Sequence, residues 1–308
     1  MVDGHNHDAI SAADSEIDVS GLEVLRSNGI DAVIVALPFD RSETSDMANR
    51  IRGEVQQLRR LAADRHDFSI ADDPEAVLTR TEADGIQILF SIEWFGSIFG
   101  GDPSRIEWYR DLGVRIISLT EQDPDGLFGK EKLSSTLTPH GSRVLSAMNE
   151  VGVLIDITHL DHRQKLEVIR RSSSPVVATH MLAGEVNPTS FNLPPDVVSA
   201  LAEHGGSVWV SFNKSDLLGG RPDEAAIDLL VDHIEVLVER LGADHVGIGS
   251  DLQAEGRYAP PSLNRSDAFT EIGRQLTRRG YTQETVNGVL GENVLQALAG
   301  NPGGIVEE

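Results

Sequence analysis

Short apolar runs alternate with amphipathic helical stretches along the whole chain, and this alternation constrains the fold more than any other feature. Most of the runs are rich in valine and isoleucine, which is typical of parallel strands buried on both faces. Eight runs are predicted to be strands: residues 1–5, 31–37, 87–92, 114–119, 152–157, 175–179, 207–212 and 245–249. Eight strand–helix units without a break in composition favour an α/β fold of the closed (β/α)8 TIM-barrel type over an open sheet.

The length of the chain agrees with this architecture. An α/β barrel commonly takes about 250 residues or more, and the chain has 308. Residues 283–300 are predicted to form a final helix. Stretches rich in glycine and proline are predicted to be loops that follow barrel strands rather than linkers: 99–104, 123–129, 184–195 and 254–262. We therefore expect residues 1–308 to form a single barrel domain with a C-terminal helix.

Charge and composition argue against several classes of partner. The chain carries 26 Lys and Arg residues against 49 Asp and Glu residues, a formal net charge of −23. The phosphates of nucleic acids and anionic membranes would be repelled by this charge. There is no cysteine, so only imidazole and carboxylate remain as strong metal ligands. Because no leader-like segment and no long apolar run is evident, we expect a cytoplasmic enzyme that binds neither nucleic acid nor membrane.

A histidine or carboxylate follows the end of five of the predicted strands. These residues are His5, His7, Glu93, His159, His180 and Asp251. The carboxyl ends of barrel strands meet at one mouth, where the active sites of such barrels lie. His5 and His7 also have the i, i+2 spacing that points two side chains to the same side of an extended chain. The sequence therefore predicts a metal centre at this mouth.

Such a centre could hold two divalent ions. A pair of ions about 3.5–4 Å apart needs a shared carboxylate, a bridging hydroxide and further ligands for each ion. Glu93 is the only acidic residue at the end of the third strand, so we expect it to be the bridge. His159 and His180, at the ends of strands five and six, would complete the coordination of one ion. His5, His7 and Asp251 would hold the other. Asp251 could also take a proton from the bridging water and pass it to a leaving amine.

Other titratable residues near the strands have less specific roles. His162 follows His159 by three residues and could support the site from behind the ligands. Asp156 lies within the fifth strand, where orienting a ligand histidine and a purely structural role are both open. His233 lies on a mostly apolar helix, where we expect a structural role, and no chemistry is assigned to His140.

Segments across almost the whole chain resemble the renal (membrane) dipeptidase family, zinc peptidases with an amidohydrolase-like barrel. VDGHNHD resembles the opening DGHND motif of the family, and SIEWFGSI is similar to its Glu-containing segment. The most specific similarity is the run from residue 137 to 160, LTPHGSRVLSAMNEVGVLIDITHL. PVVATHMLA and LGADHVGIGSDLQ resemble two further motifs, and VNGVLGENVLQAL resembles the closing helix with its G-x-N pattern.

Taken residue by residue, the resemblance implies that His5, Glu93, His159 and His180 are metal ligands, with Glu93 as the bridge. It implies that Asp251 is the acid/base group. It also implies two divalent metal ions, Zn²⁺ in this family, and hydrolysis of a dipeptide that often carries a D- or dehydro-residue on its C-terminal side. The same precedent suggests a homodimer.

The chain departs from the family pattern at three positions. His7 replaces a carboxylate ligand, which removes one negative charge and opens the His5/His7 site to another transition metal. Glu121 replaces a histidine credited with polarising the scissile carbonyl, and a carboxyl group donates to a developing oxyanion only when protonated. Phe191 replaces the arginine that binds the free carboxylate of the substrate. Glu121 and Phe191 are therefore predicted substrate-binding positions with altered chemistry.

Three functions remain open. The leading hypothesis is a dinuclear metal-dependent hydrolase of dipeptidase type that cleaves an amide bond in a small, modified, dipeptide-like substrate. The second is a metallohydrolase of a non-peptide amide, lactone or ester. The third is a catalytically weak metal-binding homologue, against which the retention of Glu93 and Asp251 argues. Arg257, Lys214 or Arg221 could supply the cation that is lost at position 191.

Overall fold

The computed structural model describes residues 1–13, 16–39, 46–74, 77, 85–93, 96–129, 135–253, 256–265 and 267–300. Within these residues, eight parallel strands pair in chain order. They are β1 (Val2–Asn6), β2 (Ala32–Leu37), β3 (Ile86–Ile92), β4 (Val114–Thr120), β5 (Leu154–His159), β6 (Val176–Ala178), β7 (Ser207–Val210) and β8 (Val246–Ile248). A short strand, Phe68–Ile70, pairs with β3, and Ser11–Ala13 and Glu16–Asp18 form an antiparallel hairpin. All eight predicted strands are confirmed.

The seam between β8 and β1 is joined by backbone hydrogen bonds at the carboxyl ends of the strands. The Asp251 N–H donates to the His5 carbonyl at 3.0 Å, and the His7 N–H donates to the Leu252 carbonyl at 2.9 Å. Asn6 and Leu252 form a parallel bridge at the same place. The strands therefore form a nearly closed (β/α)8 barrel, as the sequence predicts.

Helices lie between the strands and after the last one. They are α1 (Ser20–Ser27), α2 (Met47–Ala63), α3 (Arg105–Asp111), α4 (Pro139–Val151), α5 (His162–Arg171), α6 (Pro195–His204), α7 (Lys214–Leu218), α8 (Ala226–Leu241), α9 (Ala268–Arg278), α10 (Gln283–Asn287) and α11 (Asn293–Ala299). Local sequence sets their ends. Thr138 caps α4 with Pro139 in its first turn, and Asp161 forms a capping box with Gln164 at the start of α5. Among the described residues, no helix has the length and apolar character needed to cross a membrane.

A small apolar cluster fills the barrel below its mouth. It includes side chains from the first seven strands and from α11: Val2, Ala32, Ile34, Leu89, Ile116, Leu154, Val177, Trp209, Val294, Leu295 and Leu298. Trp209 is fully buried. A Cβ on Gly4 or Gly247 would lie 2.6 or 2.9 Å from its indole ring, so these glycines make room for the ring. The barrel is thus a packed core that supports the mouth.

The predicted final helix is broken between α10 and α11. Gly291 has a φ of 147°, and a Cβ there would lie 2.4 Å from the backbone nitrogen of Val2. The Asn293 side-chain amide donates to the carbonyl of Ala243, just before β8, at 2.7 Å and to that of Val246, the first residue of β8, at 2.8 Å. The G-x-N pattern therefore docks the last helix against the bottom of β1 and β8. Residues 301–308, part of the predicted single domain, and residues 254–255 of one predicted loop lie outside the described residues.

Candidate metal centre

The six side chains expected to bind metal converge at the mouth of the barrel. Their ligand atoms form three overlapping groups, and within each group the atoms lie within 4.8 Å of one another. The groups are His5, His7 and Glu93; Glu93, His159 and His180; and His5, His180 and Asp251. Glu93 is shared by the first two groups, which is the position that the sequence analysis expects for it.

His5, His7 and Asp251, from the two sides of the barrel seam, form the first half of the cluster together with Glu93. His5 Nε2 lies 2.8 Å from Glu93 Oε2 and 3.1 Å from His7 Nε2. His7 Nε2 lies 3.6 Å from Glu93 Oε2 and 3.7 Å from Asp251 Oδ1. Asp251 has a φ of 54°, a left-handed conformation that is uncommon outside glycine and often found at functional sites.

The second half of the cluster comes from β5 and the residues after β6. His159 Nε2 and His180 Nε2 lie 3.1 Å apart, and His159 Nε2 lies 3.6 Å from Glu93 Oε1. One oxygen of Glu93 therefore faces His5 and His7, while its other oxygen faces His159. This is the arrangement that a carboxylate shared between two cations needs.

Burial and mutual charge shift the pKa values of these groups in different directions. Burial and the neighbouring His5 imidazole hold the pKa of His180 well below its ordinary value. Burial alone would raise the pKa of Glu93, but His7 and His5 hold it well below its usual range. Burial likewise opposes protonation of His5, yet Glu93 and Asp251 raise its pKa. The shifts of His180 and Glu93 favour a neutral imidazole and an ionised carboxylate, which are the forms that bind a metal ion. The shift of His5 favours its protonated ring instead.

The donor set fits divalent transition metals. Two imidazoles on one tetrahedral zinc ion, each about 2.0–2.1 Å from it, have nitrogens about 3.3 Å apart. The two Nε2···Nε2 separations of 3.1 Å are close to this value. Imidazole lone pairs that face one another at such a distance repel unless a proton or a cation lies between them. Four imidazoles and two carboxylates suit Zn²⁺ or another transition metal.

Asp156, on β5, supports the second half of the cluster through hydrogen bonds to two threonines. Its carboxylate accepts hydrogen bonds from Thr158 Oγ1 at 2.6 Å and from Thr179 Oγ1 at 2.8 Å. The Thr179 hydroxyl in turn lies 2.9 Å from His180 Nδ1. Of the two roles left open for Asp156, this geometry favours orienting a ligand histidine. The sequence analysis did not identify Thr179, although a threonine directly precedes both His159 and His180.

Lys165 is a second supporting residue that the sequence analysis did not identify. Its buried Nζ donates to the Thr158 carbonyl at 3.0 Å and to the Leu160 carbonyl, so it holds the chain on both sides of His159. Burial lowers the pKa of Lys165 to about 8. The sequence carries little sign of this role, because a lysine on an amphipathic helix is usually exposed.

Two of the remaining histidines are engaged elsewhere. His162 Nε2 lies 2.8 Å from Asp196 Oδ2, and 50% and 57% of the two side chains are exposed. This surface pair does not fit the supporting role that was open for His162. The fully buried His233 ring accepts the Ala183 N–H at 3.1 Å, which agrees with the structural role expected from its helix.

The two predicted substrate positions lie at different depths. The Phe191 ring packs against the second histidine pair, with its centroid 5.9 Å from that of His159 and 6.3 Å from that of His180. Glu121 follows β4 with an exposed side chain, and its N–H donates to the His159 carbonyl at 2.8 Å. The candidate cations Lys214, Arg221 and Arg257 have exposed side chains. The side chain that packs beside His159 and His180 is therefore the apolar ring of Phe191.

A cavity of about 720 Å³ opens beside His7, on the other side of the cluster. It lies between the hairpin, α1 and the segment after β8, and its lining includes Ile10, Leu25, Phe39 and Leu263. Small-molecule sites typically enclose about 300–1,000 Å³. The mouth therefore has room for a small molecule next to the cluster.

Comparisons with known proteins point to one family. A model of the membrane dipeptidase family, peptidase family M19, matches residues 1–300. Dipeptidase aclJ from Aspergillus oryzae (strain ATCC 42149 / RIB 40) is 30% identical over 217 residues, which cover 69% of this chain and 51% of that protein. The chain spans about half the length of the curated relatives that it matches.

Solved structures share the architecture. The dipeptidase AC, an M19 metallopeptidase, superposes with a TM-score of 0.78 at 23% identity, over 98% of both chains. A metallopeptidase from Rhodobacter sphaeroides, bound to a phosphinate mimic of the dipeptide L-Ala-D-Ala, has a TM-score of 0.74 at 22% identity, over 96% of this chain and 97% of that one. At these identities the structural likeness shows the fold alone.

Proposed function

Because the chain belongs to the membrane dipeptidase family, as its motifs indicate, we propose that it is a metal-dependent hydrolase of dipeptidase type. The substrate in this proposal is a small molecule with an amide bond, such as a modified dipeptide. The observation that carries the proposal is the position of Glu93, whose two oxygens face different histidines at the barrel mouth. An inert scaffold would have no need for this arrangement of buried charge.

We propose that the centre holds two divalent ions, with zinc as the expected metal. Glu93 would be shared, His159 and His180 would hold one ion, and His5 and His7 would hold the other beside Asp251. Bound ions would supply Lewis acidity for the scissile carbonyl and would lower the pKa of a water molecule. Because His7 stands in place of a carboxylate, the ion at the His5/His7 site would carry less compensating negative charge and could be another transition metal.

Asp251 is the proposed carrier of the proton. Its carboxylate lies 3.7 Å from His7 Nε2 and accepts a hydrogen bond from Gln253 Nε2 at 3.2 Å. The backbone bond from Asp251 to the His5 carbonyl holds it at the mouth. From there it can accept a proton from the attacking water and deliver it to the amide nitrogen. This transfer matters because an amine leaves readily only after its nitrogen is protonated.

Phe191 defines the proposed substrate class. An aromatic ring beside His159 and His180 cannot form the bidentate contact that an arginine gives to a carboxylate. Each lost charge-assisted contact typically costs about 1.5–3 kcal/mol. We therefore propose a substrate whose C-terminal carboxylate is masked, absent or distant. The same apolar ring supports a second candidate function, hydrolysis of a non-peptide amide, lactone or ester.

Metal analysis combined with a hydrolysis screen tests the proposal. The purified protein would be loaded with Zn²⁺ and assayed on L,L and L,D dipeptides and on their C-terminal amides. We expect the protein to cleave the peptide bond, and to do so more efficiently in the amides than in the free dipeptides. This activity should be lost after chelation and restored by Zn²⁺. A protein that binds two ions per chain but cleaves none of these dipeptides or amides would contradict the proposed activity. Homodimer formation, cytoplasmic location and a single domain over residues 1–308 stay predictions.

A further inference from the structure

Two buried aspartates, on β1 and β5, hold the chain at the mouth in the same way. Asp3 accepts the backbone N–H of Ser250 at 2.9 Å and also its hydroxyl. Asp156 accepts the backbone N–H of Thr179 at 3.2 Å and its hydroxyl at 2.8 Å. In each case the donor residue follows the neighbouring strand and directly precedes a candidate metal ligand. Each carboxylate therefore ties two strands together immediately below the cluster.

The Thr179 hydroxyl oxygen also lies 2.9 Å from His180 Nδ1 and 3.4 Å from Thr158 Oγ1, whose own hydrogen is donated to Asp156. A hydroxyl group has a single hydrogen, and the Asp156 carboxylate accepts it. The Thr179 oxygen must then accept a hydrogen from His180, so Nδ1 of that ring carries the proton. His180 Nε2 is left with its lone pair, and it lies 3.1 Å from His159 Nε2 inside the cluster.

We propose that Asp156 and Thr179 are positioning residues that fix the tautomer and ring orientation of His180 for metal binding. This inference rests on the proposed metal centre and assigns two residues to it. Asp156 is itself held by Ser118 Oγ, by the Thr158 N–H at 2.9 Å and by Thr158 Oγ1 at 2.6 Å. Asp156 and Thr179 are completely buried, so their hydrogen bonds are shielded from exchange with solvent.

Substitution of Thr179 tests the role of the hydroxyl. Thr179→Val removes it at nearly constant volume, whereas Thr179→Ser keeps it. Ser118→Ala is the matched control, because the buried Ser118 hydroxyl donates to the same Asp156 carboxylate, whereas the Thr179 hydroxyl also accepts from His180 Nδ1. We expect Thr179→Val to weaken one of two Zn²⁺ binding events about 10- to 100-fold in a chelator competition titration, and the other two variants to stay within about threefold of wild type.

A second readout is independent of bound metal. Long-range proton–nitrogen NMR of the metal-free wild type is expected to show His180 protonated at Nδ1, and this preference should be lost in Thr179→Val and kept in Thr179→Ser. Circular dichroism would establish that each variant is folded. If Thr179→Val does not fold, the wild-type spectrum still decides, because a His180 protonated at Nε2 overturns the inference.

Two other results would also overturn it. One is wild-type Zn²⁺ affinity in folded Thr179→Val. The other is an equal loss of affinity in Ser118→Ala, since this would mean that the hydrogen bonds to Asp156 are merely structural. If the wild type binds no Zn²⁺, the proposed metal centre fails, whereas the His180 tautomer still tests the positioning role of Thr179.

Discussion

Asp3, on the first strand, accepts both the backbone N–H and the hydroxyl of Ser250, which follows the last strand. The same carboxylate accepts the Asn6 side-chain amide at 2.9 Å and the His5 N–H at 3.3 Å. Asp3 is completely buried, and burial raises its pKa above the ordinary value although these hydrogen bonds oppose the rise. One side chain thus connects the first and last strands of the barrel and lies next to His5, the first of the candidate ligands.

Removing this side chain should destabilise the barrel. Asp3→Ala leaves several buried donors without their acceptor, and we expect the free energy of unfolding to fall by about 2–4 kcal/mol. Urea denaturation would measure the change. Asp111→Ala, at an exposed position, serves as a control and should change the same free energy by no more than about 0.5 kcal/mol. Equal stability of Asp3→Ala and wild type would show that the seam is held by other contacts.

Loss of the shared carboxylate should affect both ions. We expect Glu93→Ala to lose both metal ions, because its two oxygens face different histidines. His180→Ala should mainly weaken one ion, because the His5 and His7 ligands remain. Elemental analysis after dialysis against a weak chelator would give the metal content per chain. Unchanged metal content in Glu93→Ala would exclude Glu93 as the bridge.

Restoring a carboxylate at position 7 should alter metal choice. His7→Asp adds a negative charge next to His5 and Glu93, so we expect metal content to move towards a full pair of zinc ions. His66→Asp makes the same chemical change at an exposed position and controls for net charge. The measurement is metal identity and stoichiometry after incubation with several divalent metals. If His7→Asp matches wild type under all conditions, His7 is not a ligand.

A guanidinium group at position 191 should restore selectivity for a free carboxylate. We expect Phe191→Arg to raise kcat/KM for Gly-D-Ala about 10- to 100-fold relative to its amide, because one charge-assisted contact is regained. Phe191→Met keeps an apolar side chain and should retain the wild-type preference. Steady-state kinetics on both substrates would separate the outcomes. If the wild type already favours the free acid, another cation of the protein binds the C-terminal carboxylate of the substrate.

His233 should make stability depend on pH. Burial lowers its pKa from 6.5 to about 4, so between these values the unfolded chain binds more protons than the folded one. Its contribution is complete above pH 6.5 and is lost as the pH falls through 4, with a slope of at most about 1.4 kcal/mol per pH unit. His233→Asn keeps an acceptor for the Ala183 N–H without the titration.

We therefore expect the unfolding free energy of His233→Asn to decline less steeply than that of wild type between pH 6.5 and 4. Chemical denaturation at a series of pH values would measure both curves. Protonation of the metal-site residues contributes equally to both proteins and cancels in the difference. His66→Asn, at an exposed imidazole, should follow the wild-type curve. Parallel curves for His233→Asn and wild type would mean that His233 titrates normally in the folded protein.

The strands and the cluster at the mouth were predictable from the sequence because their signals are local. An apolar run such as the one that forms β5 identifies a buried parallel strand by itself. Barrel geometry then brings the residue after each strand to the same mouth, so His159 and Glu93 could be placed together although they are distant in the chain. His233 on its apolar helix was interpreted correctly for the same reason.

The support of the cluster depended on tertiary structure. Nothing in the sequence distinguishes Thr179 from other buried residues at strand ends. In the fold, Asp156 accepts its hydroxyl hydrogen, and its oxygen is then available to accept from His180. In the sequence, Phe191 shows only that the arginine of the family pattern is missing. Only the fold shows that its ring packs against His159 and His180. Gly291, at the break in the final helix, likewise lies against the start of β1, where a Cβ would meet the backbone of Val2. Local patterns determined which residues form strands and which are candidate ligands, whereas contacts between residues far apart in the chain decided which atoms orient those candidates.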